Sequence, residues 1–145
     1  MKKSVVTIAV LLAAHLAAGV AAAEIRSEDV EYSHDGTDLR GYVAWDDAVD
    51  GKRPGVVVVH EWWGLNDYAR ERADRLAELG YVAFAVDMYG AGKVTEHAEE
   101  AGAWAKQIQE NVDIWRERAL LGVDMLRKNE RVDSGKIAAI GYCFG

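Results

Sequence analysis

The chain has 145 residues, with 17 basic against 24 acidic side chains and a formal charge of −7 at neutral pH. An acidic surface repels polyphosphates and argues against nucleic acid as a partner. The length suits one domain, with no repeat, linker or low-complexity tract to divide it. Cys143 is the only cysteine, which excludes an internal disulfide.

Residues 1–23 have the layout of a signal peptide. Lys2 and Lys3 form a basic start, Val5 to Ala18 an apolar run broken by His15, and Ala21-Ala22-Ala23 a small-residue cleavage site before Glu24. A transmembrane anchor would need a longer uninterrupted run. The expectation is a mature chain of residues 24–145 that is periplasmic or secreted, with no stable membrane span after the signal is removed.

Val30 to His34 and Leu39 to Trp45 flank Asp35-Gly36-Thr37 and are rich in β-branched and aromatic residues, which predicts a β-hairpin. Asp46 to Pro54 reads as a surface loop. Val56 to Val59, four consecutive valines, predicts a strand buried on both faces. Asn66 caps a predicted helix from Asp67 to Leu79 whose apolar stripe is Ala69, Ala73, Leu76 and Leu79, and Gly80 ends it. Tyr81 to Val86 is a second buried strand, followed by an irregular stretch with Gly90, Gly92 and Lys93. Glu96 to Gln109 and Val112 to Lys128 are helical in composition, as one helix or as two parted at Asn111. The second stretch carries Ala119, Leu120, Val123 and Leu126 on one side. Arg131 to Gly135 reads as a turn and Ile137 to Ile140 as the third buried strand. Alternating strands and helices after a hairpin predict an α/β layered domain with a mostly parallel sheet, and sites in such sheets form beyond the carboxyl ends of the strands.

Three of those ends carry chemistry: His60 to Gly64, Asp87 to Gly90, and Gly141 to Gly145. Gly141-Tyr142-Cys143-Phe144-Gly145 has the small-x-nucleophile-x-small layout of a nucleophile elbow, with Cys143 as the attacking thiol. The backbone N–H groups of Phe144 and Trp62 are the candidate oxyanion donors, each worth about 2.7 to 4 kcal/mol if preorganised. His60 reads as a loop-holding residue, and no metal-ligand set surrounds it. No motif in the chain calls for a cofactor. A nucleotide-binding α/β domain is disfavoured, because no glycine-rich phosphate loop follows any strand.

His60-Glu61-Trp62-Trp63-Gly64, Asp87-Met88-Tyr89 and Gly141-Tyr142-Cys143-Phe144-Gly145, each after its strand, resemble the dienelactone hydrolase family of α/β-hydrolases. The resemblance implies a three-layer α/β-hydrolase sandwich and a hydrolase of carboxylic esters, lactones or thioesters working through an acyl-enzyme. It makes Cys143 the nucleophile and Glu61 the carboxylate that contacts the thiol, with the Trp62 amide completing the oxyanion hole. Trp63, Tyr89 and Tyr142 are the candidate pocket residues, with aromatic packing around the turns as their other reading. The family's arginine at the start of the loop after its fourth strand is replaced by Gly90-Ala91-Gly92, with Lys93 nearby.

The family takes a triad Asp and His from loops after later strands, and no residue here matches either. The expectation is therefore an N-terminal portion of such a hydrolase, a fragment truncated after the elbow strand. The alternative is a catalytically inactive truncated domain with Cys143 as a structural residue. In the family's strand order the last strand would lie at an open sheet edge, where self-association is expected.

Overall fold

The computed structural model describes residues 24–145, so the expected signal peptide lies outside the described residues. β1 (Ile25–His34) and β2 (Thr37–Asp46) pair antiparallel from Ile25↔Asp46 to His34↔Thr37. Asp35 and Gly36 form the turn with φ of 46° and 73°. Two positive φ values give the turn whose twist matches its strands, and an Asp-Gly pair adopts them with little strain.

β3 (Arg53–Val59), α1 (Asp67–Glu78), β4 (Val82–Val86), α2 (Ala98–Gln109), α3 (Val112–Lys128) and β5 (Val132–Gly141) follow. The sheet order is β1-β2-β4-β3-β5. β3 is parallel to both β4 and β5, whereas β2 is antiparallel to β1 and to β4. β1, β3, β4 and β5 therefore share one direction, and β2 alone runs against them. A strand returning from a two-residue turn must run antiparallel to its predecessor, and β2 then docks directly on β4.

β4 shows how the layers are specified. Val82, Phe84 and Val86 point into one cluster with Val57, Leu126 and Val132, while Ala83 and Ala85 point into another with Val58, Ala73 and Ala77. Large residues alternate with alanines, and the period of two sends each set to its own face. α1 covers the alanine face and α3 the other. The expectation of a sandwich truncated after the elbow strand, with one face left bare, is corrected: five strands and three helices form a three-layer α/β sandwich, with α1 on one face of β4 and α3 on the other.

Asn66 caps α1 as expected, its Oδ1 accepting the Ala69 N–H at 3.2 Å. The buried line is Ala69, Ala73 and Ala77, and Leu79 is 74% exposed, because the chain has left the helix there. α2 and α3 are separate helices. Asn111 serves the first of them, its Nδ2 donating to the Gln107 carbonyl at 2.8 Å. On α3 the buried line is Arg118, Gly122 and Leu126, and Leu120 faces outward. The helix docks through Gly122, where a Cβ would come within 3.0 Å of Val57 Cγ1, and this contact sets its rotation.

β5 begins earlier than expected. Arg53 pairs with Val132 and Gly55 with Ile137, so the predicted turn is an irregularity inside the strand, where Gly135 N–H donates to Asp133 Oδ1 at 3.1 Å. The third buried strand is also corrected: β5 is an edge strand, and Ala138, Ala139 and Ile140 are exposed.

Candidate functional site

β3, β4 and β5 run parallel, so their carboxyl ends and the three marked turns meet at one edge of the sheet. At the end of β5, Tyr142 N–H donates to the Val59 carbonyl at 3.2 Å and Gly145 N–H to the Tyr142 carbonyl at 3.1 Å. Between them Cys143 has φ of 56°, one of two non-glycine residues with positive φ among those described. A Cβ on Gly141 would overlap the backbone of Gly145, and one on Gly145 would lie 2.6 Å from the Val59 oxygen. These contacts are why the turn carries glycine on both flanks.

The Cys143 thiol is exposed and unpaired, while Phe144 is buried beneath it. A packing cysteine would be enclosed by apolar side chains in a relaxed backbone. An exposed side chain in the left-handed region does not fit the reading of Cys143 as a packing residue.

The turn after β3 is tied down at several points. Gly64 N–H donates to the Glu61 carbonyl at 3.3 Å, and Thr95 N–H to the Trp63 carbonyl at 3.1 Å. Gly64 passes so close to the Lys93 carbonyl that a Cβ there would overlap it. His60 is buried under this turn. Met88 N–H donates to its Nε2 at 3.1 Å, and its Nδ1 lies 2.5 Å from the Glu61 carbonyl oxygen. A backbone N–H can only donate, so Nε2 is the bare nitrogen and Nδ1 carries the proton. Burial lowers the His60 pKa, outweighing the opposing effects of the Glu61 carbonyl and the Asp87 charge. With both nitrogens engaged, His60 holds the loop.

Asp87 anchors the turn after β4. Its Oδ1 accepts the Tyr89 and Gly90 N–H groups, both at 2.9 Å, and its Oδ2 accepts that of Arg40 at 3.1 Å. Arg118 Nη1 donates to the Met88 carbonyl at 2.7 Å. The Tyr89 hydroxyl donates to the Trp62 carbonyl at 3.2 Å. Burial holds this phenol above its ordinary range, and the neighbouring Cys143 adds to the effect.

A cavity of about 310 Å³ opens beside the thiol, lined by Trp62, Gly102, Ala105, Lys106, Gln109, Cys143 and Phe144. Of the residues expected to form the site, the structure brings Cys143, Phe144 and Trp62 together. The Trp62 and Phe144 N–H groups find no acceptor among the described residues. Glu61 is half-buried, and its carboxylate has no hydrogen-bond partner among the described residues, Cys143 included. Trp63 stacks edge-on against Trp62 at 4.9 Å without lining the cavity. Tyr142 turns to the α1 face and meets Tyr68 at 5.8 Å. Tyr89 packs between His60, Phe144 and Trp104. The four wall residues from α2 were invisible in the sequence, since nothing local marks the helix that folds over the elbow. Among the described residues, His34 and Asp35 at the hairpin turn and Glu117 on α3 have metal-ligand spacing, but His34 Nε2 already pairs with Glu117 at 3.0 Å.

Residues 39–145 match the model of the dienelactone hydrolase family. Protein usf of Aquifex pyrophilus is 35% identical over 120 residues, which are 80% of this chain and 50% of that protein. The solved structure of a dienelactone hydrolase-like promiscuous phosphotriesterase from metagenomic libraries is 41% identical, with a TM-score of 0.79 over 83% of this chain and 50% of its own. A second structure, m3DLH, gives 40% identity and the same TM-score and coverage. The chain spans about half the length of these relatives. The match takes in all three marked strand ends within one three-layer fold. The match runs through residues 39–145, which corrects the restriction of the resemblance to an N-terminal portion, and nothing in it supports a deficient triad.

Proposed function

The chain belongs to the dienelactone hydrolase family, and on that premise we propose that it is a carboxylic ester or lactone hydrolase with Cys143 as nucleophile. The observation that carries this is an exposed thiol, held at φ of 56° over a cavity, between two turns whose Trp62 and Phe144 N–H groups are free to donate to an oxyanion.

Sulfur attacks the ester carbonyl carbon, and the carbonyl electron pair moves onto oxygen between the two amides. Glu61 is the group offered for the thiol proton, its carboxylate being half-buried and without a hydrogen-bond partner among the described residues. As the tetrahedral species collapses, the C–O bond breaks and the leaving alkoxide takes that proton. Water then attacks the thioester, forming the acid and returning the thiol. The cavity walls, Trp62 and Ala105 with Lys106 and Gln109 at the rim, suit a small ester with an apolar body. Trp63, Tyr89 and Tyr142 support the turns. The phosphotriesterase activity named for the 41% identical relative makes phosphotriesters a second substrate class to assay.

The test is incubation with p-nitrophenyl acetate followed by intact-protein mass spectrometry. A single acetyl group on Cys143, absent in Cys143→Ala, is the expected result; p-nitrophenol release that persists in Cys143→Ala would remove the thiol from the mechanism.

The layout of residues 1–23 supports export to the periplasm or secretion, which cell fractionation checks. The net charge supports the absence of a nucleic-acid partner. β5 is paired on one side only and exposes Ile140, which supports self-association through that edge; sedimentation over a concentration series reads it directly.

A further inference from the structure

We infer that His60 and Tyr89 are positioning residues for the oxyanion hole: together they clamp the two peptide planes on either side of Trp62 and so aim its N–H. The inference rests on the reading of Cys143 as nucleophile given above, and adds to it residues that touch no substrate.

The geometry begins with the Glu61–Trp62 peptide. A peptide bond is planar and trans, so the Glu61 carbonyl and the Trp62 N–H belong to one rigid plate and point in opposite directions. Fixing the oxygen fixes the direction of the N–H. Two donors hold that oxygen, His60 Nδ1–H at 2.5 Å and Gly64 N–H at 3.3 Å. The next plate, Trp62–Trp63, is held by its own oxygen, which accepts the Tyr89 hydroxyl at 3.2 Å. The Trp62 Cα is thus the joint between two plates, each pinned from the side opposite its N–H.

The clamp is itself anchored. The His60 tautomer is set by Met88 N–H at Nε2, and its ring is 1% exposed, packed edge-on against Tyr89 at 5.0 Å and nearly parallel to Phe144 at 6.1 Å. Phe144 carries the second free N–H and follows the nucleophile in the chain. One aromatic cluster therefore underlies both oxyanion donors and connects the turns after β3, β4 and β5. A preorganised donor is effective only when it already points at the developing charge, so a loss of aim costs rate even where the fold survives. A purely structural histidine would satisfy the Met88 N–H without placing its second nitrogen on the peptide plate that carries the donor.

The test compares two reactions of the same thiol in the full chain. With p-nitrophenyl acetate an S–C bond forms, the C–O bond to p-nitrophenolate breaks and the thiol proton passes to solvent; the carbonyl oxygen becomes an oxyanion on the way. With iodoacetamide an S–C bond forms and iodide leaves, with no oxyanion. The ratio of the two rate constants reads the oxyanion hole, because thiol ionisation and access enter both rates. His60→Gln keeps a polar group near Nε2 and loses the one at Nδ1, whereas His60→Asn restores an amide N–H near Nδ1.

The expected result is a ratio lowered at least tenfold in His60→Gln, with alkylation within about twofold of wild type, and partly recovered in His60→Asn. Tyr89→Phe, which removes one oxygen from a packed ring, is expected to lower the ratio severalfold, and it decides the matter if the His60 variants do not fold. An unchanged ratio in the folded variants, with wild-type acylation intact, overturns the clamp and leaves the function standing. Wild-type acylation no faster, relative to alkylation, than that of a free cysteine peptide removes the nucleophile reading and the clamp with it.

Discussion

Val59 and Gly145 meet at the carboxyl edge of the sheet so closely that a single added methyl group on Gly145 would sit 2.6 Å from the Val59 carbonyl oxygen. The same oxygen accepts the Tyr142 N–H, so the elbow is folded back against the strand beside it. Gly145→Ala must push this turn outward, and overpacking of this kind costs about 1 to 3 kcal/mol. Urea unfolding is expected to show that loss, with thiol acylation reduced as well. Gly36→Ala meets nothing within 4 Å and bears only the strain of its positive φ, so its acylation rate should match wild type.

Cys143 is held in the left-handed region, where a residue with a Cβ is strained and glycine is not. Cys143→Gly and Cys143→Ala both remove the thiol and abolish acylation, but they differ in that Cβ. The glycine variant is expected to be the more stable by about 0.5 to 1 kcal/mol in chemical denaturation. At a position of negative φ the same choice between glycine and alanine would favour alanine.

His60 supplies a pH dependence whose sign follows from its burial. Burial lowers its pKa below the ordinary imidazole value of about 6.5, with the Glu61 carbonyl and the Asp87 charge opposing and the Tyr89 and Phe144 rings packed against it. The unfolded chain therefore binds the proton more readily. The stability from a neutral His60 is fully present above about pH 6.5 and is lost as pH falls through the lowered pKa, by at most about 1.4 kcal/mol per pH unit. Denaturation midpoints between pH 7.5 and 5.5 should fall for wild type and fall less for His60→Gln.

Asp87 accepts three backbone N–H groups while 3% exposed. Removing the carboxylate leaves buried donors unpaired, each costing about 1 to 3 kcal/mol. Asp87→Ala is expected to lose more stability than Asp87→Asn, which keeps one acceptor oxygen. Thermal melts of the two variants give the order directly.

The observed rotation of α3 is checked by two leucines. Leu126 is 1% exposed and Leu120 is 51% exposed. Leu126→Ala should cost about 2 to 5 kcal/mol, and Leu120→Ala about 0.5 kcal/mol or less. Similar losses at both positions would mean that α3 is turned otherwise.

The sequence by itself determined what depends on near neighbours. The Asp-Gly turn, the valine strand, the Asn66 cap and the glycine-flanked cysteine are each decided by backbone sterics or by a hydrogen bond a few residues long. Their order along the chain also settled the α/β class and the family. Tertiary structure decided the rest. The antiparallel docking of β2 on β4 made the sheet mixed, and Gly122 against Val57 rotated α3 so that Leu120 faced outward. The fold of α2 over the elbow brought Gly102, Ala105, Lys106 and Gln109 to the Cys143 cavity, while the alternation of the chain sent Tyr142 to the opposite face. His60 could be read as a loop holder from its position, but its proton could be assigned only once the fold had set the Met88 N–H against one of its nitrogens. A local pattern fixes which way a residue leans; only packing between distant segments decides what it meets there.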